Sequence, residues 1–361
     1  MARAKCLALT VFLLAATCGL VRAQTQTKTP ADGGLKLGLL IADLRHERWQ
    51  TDVEQFTIRA GELNAAVVTR DAQSDPDVQL AQAKELITKG IKVLVVNAVD
   101  GDKAAELVAF AHKHNVPVVC YDRMILGGHP DFFVSYDNER IGELQAEYLL
   151  KLAPQGNYVL MEGSSADDNA TLFHQGHIKV LRAAADSGKI KIVSERWVKD
   201  WSETEAYMEM MKALAVTKDI QAVVAANDDT ASGAAQALLD NNVKPFPVIS
   251  GQDSDLSAVV RIIKGTQSMS IYKPMKPLAR LGAEVAIDLA NGKKPASQMV
   301  LSNGDSNVPS VLLTPRAVDR SNLMQTVFAD KFQSTAIVQK ELTEQEWRAF
   351  STQADNSGGS K

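Results

Sequence analysis

Cysteine is almost absent: three residues in 361, and two of them, Cys6 and Cys18, stand within the first 20 positions. The remaining thiol, Cys120, lies in the apolar run Val116 to Tyr121 and has no partner for an intramolecular disulfide. The fold therefore does not rest on a disulfide framework, and Cys120 reads as a small buried hydrophobe rather than a nucleophile. Charge of one sign is lacking as well. The 39 Lys and Arg stand against 43 Asp and Glu, a net charge of −4, so nothing draws the chain to nucleic acid. The six histidines are scattered without ligand spacing, and Asp71, Asp75 and Asp77 read as turn residues, so neither a metal nor a cofactor is implied. Low-complexity sequence is scarce. With 45% apolar residues the chain can build cores, and 361 residues exceed what one compact core usually takes, which predicts two lobes.

A long apolar run occurs only at the start. Arg3 and Lys5 precede the run Leu7 to Leu20, and Val21-Arg22-Ala23 has the small-residue look of a cleavage site. The run is short for a span, which takes about 20 apolar residues. Residues 1–23 are expected to be a signal peptide cut after Ala23, giving a product exported to the periplasm. A lipid-anchored alternative at Cys18 is disfavoured by Thr17, where a smaller residue is wanted. The polar stretch 24–34 is expected to be a flexible leader.

From Leu35 the pattern alternates. Apolar runs at Leu35–Ile41, Ala65–Thr69, Ile91–Val96 and Val116–Tyr121 read as strands, separated by helical segments at Glu47–Gly61, Val78–Lys89 and Lys103–His114. A second series follows, with strands at Tyr158–Met161, Ile190–Glu195, Ala222–Ala226, Val248–Gly251 and Met269–Tyr272. Its helices are Ile141–Leu152, Ala170–Ser187, Glu203–Ala215, Thr230–Leu239 and Leu256–Lys264. Strands this apolar are buried on both faces, the mark of parallel sheets covered by helices. Two such halves without a long linker predict a cleft lined by the strand ends. Beyond Ala336 a short helix is expected at Leu342–Phe350, capped by Thr343 with Glu346 three residues on, and Asp355–Lys361 is expected to be disordered.

Charged and aromatic residues cluster just after the strands. DLRHERWQ follows the first, YDR the fourth, EGSSADDN the strand at Tyr158, and RWVKDW, NDD, GQDSD and KP follow the later ones. Taken singly, such residues are caps or solvated charges. Trp197 reads as packing on its sheet, Arg45 and Glu47 as helix-start charges, Lys199 and Asp200 as turn residues, and Asp137-Asn138 as a cap. Stability gives no reason to repeat the pattern over seven loops. A sugar hydroxyl both donates and accepts, so carboxylates, amides and cations around it suit each other, and its C–H face stacks on large aromatic planes. Trp49 and Trp201 lie on such loops in different halves, and predict a sandwich that closes by hinge motion.

The blocks DLRHERW, YDRMI, SYDNERIGELQA, PQGNYVLMEGS, GQDSDL and YKP, in this order, resemble the periplasmic D-xylose-binding receptors of ABC importers. These belong to the pentose- and hexose-binding group related to ribose- and galactose-binding proteins. The resemblance runs from about Leu35 to Thr326. It implies a type I periplasmic-binding-protein fold, α/β, in which each of two lobes is a parallel sheet flanked by helices, joined by three chain crossings. It also implies a monomer that binds a monosaccharide, D-xylose, and hands it to the membrane subunits of an ABC permease without chemistry. Crossings near Asp137, Lys273 and Asn303 place residues 35–136 with 274–303 in the N-terminal lobe and 137–273 with 304–335 in the C-terminal lobe, leaving 336–361 as a partly disordered tail. The sugar contacts implied are Arg48, Trp49, Asp122, Arg123, Asp167, Asn169, Trp201, Asn227, Asp253 and Lys273. Of these Trp49 and Trp201 would stack, Asp253 accept, Arg48, Arg123 and Lys273 donate, and Asn169 and Asn227 do both. The sequence departs from the pattern in SSADDNA, which bears on Asp167, and in its longer tail.

Three other readings fit less well. A sugar-responsive repressor of this fold would carry an N-terminal helix-turn-helix, where this chain has a signal and a polar leader. A glycoside hydrolase would need one carboxyl kept neutral, whereas Asp122 and Asp253 are expected beside Arg and Lys. A receptor for another pentose or hexose, also read by a chemoreceptor or sensor kinase, remains open from sequence.

Overall fold

The computed structural model describes residues 34–357. The signal-peptide reading of 1–23 and nearly all of the leader lie outside the described residues. The chain then runs β1 (Leu35–Ile41), α1 (Glu47–Glu62), β2 (Ala65–Asp71), α2 (Pro76–Thr88), β3 (Val93–Val96), α3 (Ala104–Lys113), β4 (Val118–Tyr121) and β5 (Phe132–Tyr136). It crosses to the second lobe with α4 (Asn138–Leu152), β6 (Gly156–Glu162), α5 (Asp168–Asp186), β7 (Ile190–Trp197), a 3₁₀ turn (Lys199–Trp201), α6 (Glu203–Val216), β8 (Ala222–Ala225), α7 (Asp228–Asp240), β9 (Val248–Ile249), α8 (Leu256–Lys264) and β10 (Met269–Tyr272). It ends with α9 (Met275–Ala290), β11 (Met299–Ser302), β12 (Asn307–Leu313), β13 (Arg316–Asp319), a π-helical turn (Met324–Phe328), α10 (Thr335–Lys340) and α11 (Glu344–Ser357).

Two parallel sheets form, as the apolar strands require. The first has the order β11-β12-β5-β4-β3-β1-β2, all parallel except the β11–β12 pair; the second is β7-β6-β8-β9, all parallel. Each is cored on both faces. Leu37, Leu39, Val93 and Val119 pack on one side of the first sheet, and Leu40, Leu94, Val96 and Cys120 on the other. In the second lobe the side chains of Val159 and Val223 alternate with those of Leu160 and Val224 in the same way. Burial lifts the Cys120 thiol to about 12, which fits a packed hydrophobe.

Chain crossings occur at Asp137, at Lys273-Pro274 and at Thr314-Pro315. The third was expected near Asn303, but β12 pairs with β5 in the first sheet, so residues 304–313 belong to the N-terminal lobe. Pro309 disguises this strand, because a proline within a strand pattern reads as a breaker. The antiparallel pair β10–β13 forms a hinge ribbon beside the second sheet. The tail is also more ordered than expected. Thr343 and Glu346 cap α11 reciprocally, with Glu346 N donating to Thr343 Oγ1 at 3.2 Å and Thr343 N to Glu346 Oε2 at 2.7 Å. The helix continues through Ser357, and Val338 and Phe350 are buried against Val259, Ile262 and Val327. Apolar contact with α8, invisible in the tail's own sequence, orders it.

One packing detail positions the cleft. A Cβ on Gly142 of α4 would lie 2.1 Å from the Phe173 carbonyl of α5, and one on Gly176 would lie 2.3 Å from the Glu139 carbonyl. Only glycine permits this approach, which brings the N-termini of α4 and α5 together at the crossing.

Candidate functional site

Two segments of the first lobe carry side chains into the cleft. His46, Arg48 and Trp49 open α1, directly after β1, and Asp122 and Arg123 follow β4. Asp122 turns inward at a φ of 63°, held by its backbone N–H donating to the Val134 carbonyl at 2.8 Å. Its carboxylate accepts from Arg48 Nη2 at 2.8 Å, and Arg48 Nη1 reaches Asp253 of the second lobe at 2.9 Å. The guanidinium also lies over the Trp49 indole at 4.0 Å, so one face of that ring is already covered. Behind it, burial pushes Asp52 up to about 7 against the pull of Arg48 and of the Tyr121 hydroxyl, which donates to it.

The second lobe contributes helix starts. Asp167 caps α5, accepting from Asn169 N at 3.0 Å, and Asn227 caps α7, its Oδ1 accepting from Thr230 N at 2.9 Å. The Asn227 amide N–H group is thus left to face the cavity as a donor. Trp201 sits at a φ of 57° in the 3₁₀ turn, its indole N–H donating to Asp167 Oδ2 at 3.1 Å. A Cβ on Gly163 would fall 2.0 Å from this ring, so the ring's seat requires glycine there. From the hinge side come Asp253, at a φ of 99°, and Lys273, whose Nζ is 3.2 Å from Asp253 Oδ1. Three acidic or aromatic residues in left-handed backbone, each costing of order 1–3 kcal/mol, concentrate strain at one place.

All ten residues singled out from sequence line one cavity, with about 420 Å³ of empty space that is partly continuous with solvent. The lobes are closed on it. Gly101 N donates to the Ala166 carbonyl across the gap at 3.2 Å, and Arg123 Nε is 2.7 Å from Asp167. The charges are matched: Arg48 with Asp122 and Asp253, Lys273 with Asp253, Arg123 with Asp167. Burial alone would raise the Asp122 carboxyl, but Arg48, Lys273 and Arg123 outweigh it and hold it below the ordinary carboxylate range.

The roles differ in detail from those expected. Asn169 spends its amide on the protein: Nδ2 donates to the Asp122 carbonyl and Oδ1 at 3.2 and 3.1 Å, while its own Oδ1 accepts from Asn138 at 2.7 Å. It fixes Asp122 rather than standing free. Sequence reasoning also passed over His46, Phe173, Asp229, Gln252 and Asp255, which share the lining. Phe173 meets Trp201 edge to face at 6.1 Å, one helical turn past Asn169, a spacing that could have drawn attention to it. Gln252 keeps a buried Oε1 with no hydrogen-bond partner among the described residues. Its position inside the GQD block was the available signal. Trp197 packs on the sheet and against His174, and Asp137 caps α4, as read from sequence.

Among the described residues no helix is long and apolar enough to cross a membrane, and no group of three or more His, Cys, Asp or Glu could hold a metal ion. The model of the periplasmic binding protein domain matches residues 37–294. The D-xylose-binding periplasmic protein of Escherichia coli (strain K12) is 44% identical over 299 residues, covering 82% of this chain and 91% of that one. Its counterpart from Haemophilus influenzae is also 44% identical over 299 residues, covering 82% and 90%. Among solved structures, an ABC transporter solute-binding protein from Clostridium phytofermentans with bound β-D-glucose superposes with a TM-score of 0.79 at 25% identity, covering 84% of this chain and 99% of that one. The chain belongs to the periplasmic binding protein family of sugar receptors.

Proposed function

We propose that the cleft binds one neutral monosaccharide, D-xylose, and that the protein carries it through the periplasm as a monomer to the membrane subunits of an ABC permease. The observation that carries this reading is the matching of every cation in the cavity to a carboxylate, flanked by two indoles from opposite lobes. Such a lining leaves no lysine or arginine unpaired for an anion, and offers a hydroxylated ring donors, acceptors and apolar planes at once. Two relatives of D-xylose specificity, 44% identical over most of the chain, support the choice of sugar. The structural relative with bound β-D-glucose favours a hexose as the second reading. The removable N-terminal segment read from sequence supports export.

The reading includes binding without turnover. Asp122 is held charged, which denies it the part of a general acid. Incubation with aryl pentosides tests this; release of aglycone lost in Asp253→Asn would overturn it. The sugar itself is tested by thermal shift of the mature chain against pentoses and hexoses. A ligand at 100 times its dissociation constant stabilises by about 2.7 kcal/mol. D-xylose is expected to give the largest shift, and protection by no sugar would overturn the reading.

A further inference from the structure

His46 and Asp229 lie at the mouth of the cavity, on opposite lobes. His46 precedes α1, and its ring makes no cap to that helix. Asp229 stands in the first turn of α7. His46 Nδ1 is 2.7 Å from Asp229 Oδ2, with both side chains part-exposed. None of the hydrogen bonds described above needs either residue, and neither packs into a core. A contact that spans the gap and supports no single lobe exists only while the lobes are shut.

We propose that His46 and Asp229 form a latch that holds the closed form over bound sugar. The proposal rests on the sugar reading given above. Closure brings the Asp229 carboxylate within hydrogen-bond distance of the imidazole, and opening of the lobes breaks that contact. The other charges facing His46 leave this intact. Asp43 and Arg45 on its own loop neutralise one another, Arg123 behind it is matched by Asp167, and Asp200 and Asp255 on the opposite wall are acidic and reinforce Asp229. The latch slows release, because it breaks as the lobes open, and has no part in the encounter.

Calorimetric titration of D-xylose and stopped-flow release test the pair with wild type, H46A, D229A and the double variant. H46A and D229A should bind about two- to fivefold more weakly, through faster release, and the double variant should be no weaker than either single one. Unchanged melting temperatures of the empty variants separate a latch from a fold defect. Affinity losses that add in the double variant would overturn the latch. Wild-type protein that binds no sugar would overturn the sugar reading and the latch together, whereas normal binding with unaltered release in the variants removes the latch alone.

Discussion

On the first lobe the site is carried by charged side chains held in ion pairs, whereas on the second it is carried by residues whose side chains also cap helices. Arg48 pairs with Asp122 and Asp253 and Arg123 with Asp167, all buried or nearly so, and none of the three first-lobe side chains caps a helix among the described residues. Asp167 and Asn227 do cap helices, α5 and α7, so one atom of each is committed to the fold and the remainder faces the cavity. The difference separates two ways of keeping polar groups in place inside a closed cleft. The first lobe freezes charges against charges; the second borrows the rigidity of helix ends. Replacing a residue should therefore have different consequences on the two sides, and the contrast can be broken by measurement.

The largest effect is expected at Arg48. Its guanidinium joins Asp122, Asp253 and the face of Trp49 at 5% exposure, and Arg48→Met would leave two buried carboxylates with Lys273 alone. Removing one partner of a buried pair costs about 3–5 kcal/mol. Urea denaturation of the empty protein should show that loss. A midpoint unchanged from wild type would mean that the lattice forms only with sugar present, and would erase the contrast between the lobes.

Next comes Trp201. Its ring lies over Gly163 and its N–H is bonded to Asp167, but no cation rests on it. Trp201→Ala should weaken sugar binding by about 1–3 kcal/mol, by analogy with rings stacked on aromatic side chains. Trp49→Ala should weaken binding and also lower the melting temperature, because Arg48 loses its seat. Equal effects of the two substitutions on the empty protein would show that the indoles are not used differently.

The alternation was legible in both lobes as far as Tyr272: β1 and its helix were bounded correctly to within a residue, and α8 and β10 to the residue. The ten cavity residues were also named in advance, as what the family resemblance implies, and they lie on the loops after strands where the polar side chains concentrate. What escaped depends on distant partners. The strand β5, the helix α9 and the strands after it were missed, since the alternation as read stops at Tyr272 and Pro309 interrupts β12. The tail's order comes from α8, 80 residues earlier in the core it joins. The commitment of Asn169 to Asp122 requires knowing that α4 and α5 touch, which two glycines in the helices permit but do not announce.

Asn227 tests the double use on the second lobe. Asn227→Ala should lower stability by about 1 kcal/mol through loss of the cap and also weaken sugar binding, whereas Asn227→Asp keeps the cap acceptor and loses only the donor. A melting temperature held in the aspartate variant and lowered in the alanine variant, with affinity lowered in both, separates cap from contact. Stability unaffected in both would place the rigidity of α7 elsewhere.

The smallest effect distinguishes the lobes by pH. In the first, Asp122 is kept below the ordinary carboxylate range by arginines and a lysine, which stay charged to about pH 10. In the second, burial alone would raise the Glu162 carboxyl, but the imidazoles of His177 and His174 outweigh it and hold it below the ordinary carboxylate range. A depressed carboxylate contributes stability above its unfolded value and loses it as pH falls through the folded one, so both lobes weaken in acid. His174 has the opposite sign. Its hydrogen bond to Glu162, 3.0 Å long, raises it, so its contribution is complete below the ordinary histidine value and disappears as pH rises through the higher folded value. The second lobe should therefore weaken as pH rises above the ordinary histidine value of 6.5. The side chain is 25% exposed, so solvent screens the pair and the fall in melting temperature should be slight. Melting curves of the empty protein across that range should slope downward in wild type and flatten in His174→Gln, since the amide still bonds Glu162 but cannot titrate. An identical slope in the two proteins would move the alkaline weakness away from the Glu162 pair.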